Sequence, residues 1–517
     1  MSLHIDETTA VAPGERAAGL SQRRAIPART AALTTPGLVT VLIGAFLPMT
    51  DFFIVNVALP TIDRDLHASA GMLQLVVAGY ALGYALLLVV GGRLGDAVGR
   101  KRLFLIGMAA FTVTSLACGI APGIGVLVAA RVLQGAASAM MLPQVLSTIQ
   151  ATTSGQARAR ALGCYGATGG IASVTGQLLG GLLVSADIGG LGWRPIFLVN
   201  VPIGLAGLAM TVRLVPDTRS EDPAPVDVRG TLLLGVATLS LLIPLTEGRS
   251  LGWPAWTFVL LIVAPVAAVA FVRAEQSLED RGGVPLVPIS LLRVPSMRRG
   301  LLLAVPFFTG FGGFMFVYAL ALQDGTGVSA LTAGLILVPM AAGFLVASLS
   351  TARLLARFGR RVLVAGALIQ ASGLVAIIAE LAGSWPHPGP LTLAPGMLVL
   401  GIGQGLIMSP IFGFVLSEVP PRKAGAGSGV LATTQQSSLA LGVATLGSLY
   451  LTLAAPGNLG AGRAAAVILA VLVANALAVA AMSRRLPAPA EMTPSAGELD
   501  GRAQRQAGRR VTHHDLV

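Results

Sequence analysis

Residues 91–102 read GGRLGDAVGRKR and lie between two apolar runs, 72–91 and 103–121. A basic cluster between apolar runs is typical of a loop that stays on the cytoplasmic side of a membrane. That explains the Arg and Lys, but not the aspartate or the glycines, which permit tight turns and close helix approach. We predict a latch at the cytoplasmic face, made in one conformation and broken in another. Its residues are Gly91, Gly95, Asp96, Gly99, Arg100, Lys101 and Arg102.

Apolar runs of similar length recur along nearly the whole chain. Of its 517 residues, 54% are hydrophobic and 11% are charged, whereas soluble domains are about a quarter charged. A helix needs about 20 apolar residues to cross a hydrocarbon core of roughly 30 Å. We predict an all-α polytopic membrane protein with fourteen spans, at 37–59, 72–91, 103–121, 124–148, 160–184, 196–214, 229–247, 256–273, 300–322, 330–351, 362–382, 392–415, 425–453 and 463–482.

The basic residues predict how the chain is oriented. A net charge of +12 would suit a nucleic-acid partner only if the Lys and Arg formed one patch. They instead form small clusters, with about 30 of the 35 in the tails and alternate loops on one side. We therefore expect no nucleic-acid partner and both termini in the cytoplasm. Residues 1–35 and 484–517 are predicted to be cytoplasmic tails, the second of them disordered.

Two charged residues lie inside predicted spans, Asp51 in the first and Arg131 in the fourth. An intramembrane arginine costs about 2.5 to 3.5 kcal/mol on insertion scales, so it should face a cavity or a partner. Asp51 stands nine residues before Pro60 and Arg131 nine after Pro122, which places both roughly 13 Å from the outer boundary. A matched depth makes pairing possible.

Two interpretations of this pair stay open at this point. In the first, Asp51 and Arg131 form a permanent ion pair that fixes helix packing. In the second, which we favour, Asp51 exchanges a proton and its charge state decides whether Arg131 is held or freed. A carboxylate in low dielectric takes up a proton unless a cation is paired with it, so alternation between the two states would load and release a proton.

The 91–102 segment closely resembles the signature G-x-L-G-D-x-x-G-R-K-R of the major facilitator superfamily. Residues 353–361, RLLARFGRR, form a weaker echo that fits the internal duplication of that fold. Three other segments resemble one subgroup, the fourteen-span drug:proton antiporters. They are residues 51–60, DFFIVNVALP; residues 131–135, RVLQG; and residues 193–204, WRPIFLVNVPIG.

Two segments depart from the subgroup's pattern. Phe53 stands where threonine is usual in the first span. In the fifth span, which resembles the glycine-rich antiporter motif, Ala172 replaces a glycine and Gln177 replaces the proline. Loss of that proline removes a helix-softening device at this point.

The resemblance implies a major facilitator fold, with two six-helix bundles and two inserted helices. The expected N-terminal bundle is 36–215, the inserted spans with their loops are 216–299, and the C-terminal bundle is 300–483. It also implies a monomeric secondary transporter in a bacterial inner membrane that exports small lipophilic drugs or antibiotics by alternating access. No cofactor or metal is expected. Protons entering would drive export, since one charge crossing 100 mV contributes about 2.3 kcal/mol and a tenfold gradient of neutral substrate requires about 1.4.

Roles for individual residues follow from the resemblance and from their chemistry. Asp51 and Arg131 are assigned to proton coupling. The polar groups assigned to the substrate cavity are Asn56, Gln134, Gln177 and Gln436. The Gln177 amide could instead form hydrogen bonds between packed helices. Transport of an endogenous metabolite or lipid, with different or no proton coupling, is an alternative that these residues do not separate from drug export. An enzyme would need a cluster of nucleophile, base or metal ligands within the spans, and none is found.

Overall fold

A computed structural model of the protein describes residues 33–153, 155–219, 227–248, 251–419 and 424–484. Within these ranges every regular element is a helix, and there is no strand. The predicted tails, 1–35 and 484–517, lie almost entirely outside the described residues.

Seventeen α-helices follow one another along the described chain. A short 3₁₀ turn, Ile188–Gly190, lies between α5 and α6, and a π-helical turn, Val443–Gly447, joins α15 to α16. The helices are α1 (Thr35–Leu66), α2 (Ala70–Val98), α3 (Arg100–Gly119), α4 (Ile124–Thr152), α5 (Gly155–Ala186), α6 (Pro195–Leu198), α7 (Asn200–Leu214), α8 (Val228–Glu247), α9 (Ala255–Asp280), α10 (Ile289–Arg293), α11 (Pro295–Thr326), α12 (Ala330–Phe358), α13 (Arg361–Ser384), α14 (Pro390–Leu416), α15 (Ala424–Gly442), α16 (Ser448–Ala454) and α17 (Ala461–Ser483).

Local sequence explains where several helices begin and end. The Ser69 hydroxyl accepts a hydrogen bond from the N–H of Met72 at 3.2 Å, and the Asp227 carboxylate accepts one from the N–H of Gly230 at 2.8 Å. Each bond satisfies one of the amides that a helix start leaves without a partner. Gly99 separates α2 from α3 with φ at 115°, a backbone conformation that residues other than glycine rarely adopt.

Thirteen helical segments among the described residues are long and apolar enough to cross a membrane, by length and composition. The predicted fifth span is not among them. It corresponds to α5, of which Val174–Ala186 is described as a shorter apolar helix. The fourteenth span therefore stays a prediction.

Some predicted boundaries differ from the observed ones. The first span was expected to end at 59, but α1 continues to Leu66, because helical hydrogen bonding extends through the polar residues beyond the apolar run. The predicted span 196–214 is interrupted at Val199, between α6 and α7, and the span 425–453 contains the π-helical turn. Hydropathy marks the apolar part of a segment but not the continuity of its hydrogen bonds.

The bundle has two ends, which contacts near the helix termini define. At one end Arg93 reaches the carbonyl of Val284 at 2.9 Å and Lys101 reaches that of Val212 at 2.8 Å. We call this end the Arg93 face. At the other end Asp65 pairs with Arg194 at 2.7 Å, and we call it the Asp65 face.

Helix packing falls into two groups, joined mainly by three helix pairs. In the first half of the chain, α4 packs against α2 and α3, and α1 packs against α5. In the second half, α14 packs against α12 and α13, and α11 packs against α15 and α17. The pairs α5–α12, α2–α15 and α1–α11 connect the halves, and α8 packs on α9 and α2. The predicted boundaries 36–215, 216–299 and 300–483 stay a prediction.

Candidate functional site

Asp51 and Arg131 are in direct contact inside the first half of the chain. The Nη1 atom of Arg131 donates to Oδ2 of Asp51, and both side chains have 0% exposure. The pair joins α1 to α4 at a level where no water reaches either charge. A buried ion pair of this kind is strongly favoured over either charge alone, because an unpaired charge in low dielectric is costly.

Two amide side chains complete the coordination of the Asp51 carboxylate. Gln134 on α4 donates to Oδ1 at 3.0 Å, and Asn200 at the start of α7 donates to the same oxygen at 2.9 Å. Gln134 also donates to the hydroxyl of Ser115 on α3 at 2.7 Å. Three helices therefore meet at one carboxylate and Gln134 links it to a fourth, α3, and all of these side chains are buried.

Arg131 has partners besides Asp51. Its Nε donates to the carbonyl of Val76 at 3.0 Å, and its Nη1 donates to Oε1 of Gln134 at 2.7 Å. The ring of Tyr80 lies 4.4 Å from the guanidinium carbon, at a distance suited to a cation–π contact. Of the three Arg131 guanidinium nitrogens, Nη2 alone has no hydrogen-bond partner among the described residues.

The residues assigned to the cavity do not form one cluster. Gln134 belongs to the Asp51 network and has 0% exposure. Asn56 donates to the carbonyl of Phe52 on its own helix at 2.9 Å. Gln177 is buried between α5 and α12, and neither of its amide atoms has a partner among the described residues. Gln436 is half-buried on α15.

Aromatic rings connect the Asp51 network to the second half of the chain. The ring of Tyr80 lies 6.5 Å from that of Phe52, and the rings of Phe52 and Phe53 are 5.4 Å apart. Phe53 then meets Phe311 of α11 edge to face, with centroids 6.3 Å apart. Phe53, which departs from the subgroup's usual threonine, is thus a contact between the halves.

The predicted latch is mostly helix rather than loop. Helix α2 continues to Val98, so the break is confined to Gly99. Asp96 pairs with Arg100 at 2.9 Å across that break, while Arg102 is exposed. Among the described residues the aspartate therefore bonds within its own segment.

The glycines of the latch permit α2 and α4 to lie close together. A Cβ on Gly91 would lie 2.3 Å from the carbonyl oxygen of Ala139, and one on Gly95 would lie 2.0 Å from Oε1 of Gln144. Neither position tolerates a side chain without a shift of α4 or of Gln144. This agrees with the sequence argument that these glycines serve close helix approach.

Sequence reasoning missed four residues that the structure places at these sites. Ser115, Tyr80 and Asn200 surround the ion pair, and Arg93 makes the contact between α2 and the chain beyond α9. Asn200 stood inside a segment that carried the family resemblance, and Arg93 stood inside the latch. No group of three or more His, Cys, Asp or Glu that could hold a metal occurs among the described residues.

Comparisons with known proteins agree with the fold. The family model described as Major Facilitator Superfamily matches residues 41–443. A probable actinorhodin transporter of Streptomyces coelicolor is 39% identical over 415 residues, which cover 79% of this chain and 71% of that protein. The multidrug resistance protein Stp of Mycobacterium tuberculosis is 34% identical over 424 residues, 81% of this chain and 76% of that protein.

Among solved structures, an auto-inhibited peptide transporter of the POT family is similar in fold. It covers 89% of this chain and 98% of its own, with a TM-score of 0.63 at 16% sequence identity. At that identity the likeness concerns the fold alone. Since the family model spans most of the sequence, the chain belongs to the major facilitator superfamily and is a secondary transporter, not an enzyme.

Proposed function

We propose that the protein exports small lipophilic compounds, drugs or antibiotics among them, across a bacterial inner membrane in exchange for entering protons. Its similarity to an actinorhodin transporter and to a multidrug resistance protein supports drug efflux. The observation that carries proton coupling is the fully buried Asp51–Arg131 pair, because it is a carboxylate whose charge is balanced by one cation in low dielectric.

The partners of Arg131 allow Asp51 to change its charge. When Asp51 takes up a proton, Arg131 loses its counterion but keeps the carbonyl of Val76, Oε1 of Gln134 and the ring of Tyr80. A protonated Asp51 still accepts hydrogen bonds from Gln134 and Asn200 at Oδ1. Protonation therefore breaks the ion pair between Arg131 and Asp51, while both groups keep hydrogen-bond partners.

A change at Asp51 has a direct route to the boundary between the halves. Phe53 is two residues along α1 and packs edge to face on Phe311 of α11. On its other side, a Cβ on Gly176 of α5 would lie 2.8 Å from Cβ of Phe53, so α1 and α5 are in close contact there. A small rotation of α1 would displace Phe53 against both helices.

Near the Asp65 face, three pairs of residues form hydrogen bonds between the halves. Gln323 donates to the carbonyl of Val57 at 2.8 Å, the N–H of Leu331 donates to the Ser185 hydroxyl at 3.0 Å, and Gln74 meets Ser448 at 3.1 Å. Alternating access requires these bonds to break when the Asp65 face opens. We assign the Arg93 face to the cytoplasm, because the basic residues 100–102 lie there.

The remaining residues take supporting roles in this proposal. Asn56, Gln177 and Gln436 are polar groups in or beside the substrate path. Gln177 is the most notable of them, because it lies at the α5–α12 boundary with both amide atoms unpartnered in the described structure. The latch residues, Gly91 to Arg102, control approach of the halves at the Arg93 face.

The test uses everted membrane vesicles from a pump-deficient bacterium that expresses the chain, with ethidium as a lipophilic cation probe. An imposed proton gradient should drive ethidium uptake into vesicles with the wild-type chain, and Asp51→Asn should abolish gradient-driven uptake. Asp280→Asn is the matched control, since Asp280 is an exposed carboxylate at the end of α9. Uptake by Asp51→Asn at the wild-type rate would exclude Asp51 as the proton carrier.

Protection against a panel of toxic compounds in the same strain tests the substrate class. Growth in the presence of lipophilic drugs should require the wild-type chain, and the Asp280→Asn control should protect equally well. If no lipophilic drug is excluded while proton-linked uptake of another compound occurs, drug export is the wrong assignment.

A further inference from the structure

The segment 281–288, which links α9 to α10, is held at the Arg93 face by a side chain of the first half of the chain. The Nη1 atom of Arg93 on α2 donates to the carbonyl of Val284 at 2.9 Å, and its Nη2 donates to the carbonyl of Pro285. Arg93 is itself buried, with 9% exposure. A guanidinium that spans two successive carbonyls fixes both the position and the direction of this segment.

Two carboxyl groups hold the amides of the same segment. Oδ2 of Asp227, at the start of α8, accepts from the N–H of Leu286 at 3.3 Å. Oε2 of Glu275, on α9, accepts from the N–H of Val287 at 2.5 Å. The segment is therefore bound through its carbonyls by α2 and through its amides by α8 and α9.

The same two carboxyl groups lie next to each other, and both are close to Gly230. A Cβ on Gly230 would lie 2.1 Å from Oε1 of Glu275 and 2.7 Å from Oδ2 of Asp227. Glu275 has 0% exposure, and no N–H or O–H donor in the described structure reaches its Oε1. Two carboxylates so close, one of them fully buried, do not both ionise, so one proton is shared between them.

The surroundings of Asp227 indicate where that proton resides. Burial alone would raise the pKa of Asp227, but hydrogen bonds from the Gly230 N–H, the Glu275 carboxyl and the Leu286 N–H, with the charge of Arg93, bring its pKa below the ordinary 3.8. Asp227 is therefore the ionised member near neutral pH, and Glu275 carries the proton. Arg93 balances the single negative charge.

We propose that Asp227 and Glu275 form a second proton-binding site, separate from Asp51, whose one proton holds the 281–288 segment to α2 through Arg93. Arg93 from α2 is the other charged group that acts on both carboxyls, and Glu279, one turn further along α9, accepts from the N–H of Ser290 at 2.9 Å. Loss of the proton leaves two carboxylates beside one guanidinium. Repulsion between the two carboxylates then moves them apart and breaks their hydrogen bonds with the amides of Leu286 and Val287.

The site joins the two halves of the transporter. Leu286 and Val287 pack with Phe307 and Ile411 in the apolar core of the second half, while Arg93 belongs to the first half. Releasing the segment from Arg93 therefore frees one half from the other at this face. That consequence for transport rests on the proposed function, whereas the proton site itself does not.

Hydrogen exchange on the purified full chain in detergent micelles tests the site without substrate. Protection factors of the Leu286 and Val287 amides, corrected for intrinsic exchange, are followed between roughly pH 6 and 10, since buried carboxylic acids lose their proton as late as about pH 8 to 9. We expect wild-type protection to fall at least tenfold as the pH rises. Glu275→Gln should keep protection at every pH, because its amide replaces the shared proton as a donor to Asp227.

Two further variants separate a proton site from a merely structural contact. Asp280→Asn, the exposed neighbour on α9, should follow the wild-type curve. Gly230→Ala should lower protection at all pH values, because its methyl group separates the two carboxyls. Wild-type protection that does not change with pH, or Glu275→Gln protection that falls as in the wild type, would overturn the proposal. Failure of the vesicle assay would leave these outcomes unaffected.

Discussion

Replacing Asp51 or Arg131 singly should cost far more stability than replacing both. Asp51 accepts from Arg131, Gln134 and Asn200, so Asp51→Asn removes the only negative charge near Arg131 in the described structure and presents an amide N–H₂ to it. Breaking a buried pair by removing one partner costs about 3 to 5 kcal/mol. We expect Asp51→Asn and Arg131→Gln each to lose free energy of unfolding in that range.

The double variant Asp51→Asn/Arg131→Gln is neutral at this site, and two amides can hydrogen-bond to one another. Its loss should be smaller than the sum of the single losses by at least about 2 kcal/mol, well beyond the roughly 0.5 kcal/mol within which independent sites add. Equilibrium unfolding in mixed micelles gives the four free energies of the cycle. Asp280→Asn, as a surface control, should change stability by no more than about 0.5 kcal/mol. Additive losses would refute the idea that the two charges depend on each other.

Three smaller predictions concern single positions and are checked by thermal unfolding in detergent. Gln177→Leu should raise stability by about 1 to 3 kcal/mol, since it removes a buried amide without partners in the described structure. Gly135→Ala should lower it by more than about 1 kcal/mol, because a Cβ there would lie 2.0 Å from the Tyr80 carbonyl oxygen. Arg100→Ala should cost at most about 1 kcal/mol, because its pair with Asp96 is partly exposed.

The contact between Asp51 and Arg131 was within reach of the sequence, because prolines near the ends of the two spans gave each residue a depth. Depth alone does not give rotation about a helix axis, however. Asn200 reaches the carboxylate, and Ser115 reaches Gln134 beside it, only because α7 and α3 turn those faces inward. The hydropathy of a span that is apolar all round does not reveal which face that is. Because the sequence does not show which way Gln134 faces, it was assigned to the cavity and not to the Asp51 network.

The latch shows a different limit of sequence reasoning. Glycines, an aspartate and a basic cluster suggested a loop, yet α2 passes through most of the segment and stops only at Gly99. The helix persists because Gly91 and Gly95 pack on α4, where tertiary contact outweighs their low helix propensity. Arg93 could not be singled out from the sequence, because its partners are backbone carbonyls almost two hundred residues further along the chain.

Helix α2 would make the two proposed proton sites mechanically dependent on one another. Near one end it supplies the Val76 carbonyl and the Tyr80 ring to Arg131, and near the other it supplies Arg93 to the 281–288 segment. It is continuous and contains no proline, so it behaves as a rod over the roughly 25 Å between Val76 and Arg93. Protonation of Asp51 would strengthen the contacts of Arg131 with the Val76 carbonyl and the Tyr80 ring, and so shift α2 towards Arg131. The same shift of α2 would move Arg93 relative to the segment held by Asp227 and Glu275. Coupling through packed rigid elements needs a two-state element at each end, and a proton that binds and leaves at each proposed site would supply one.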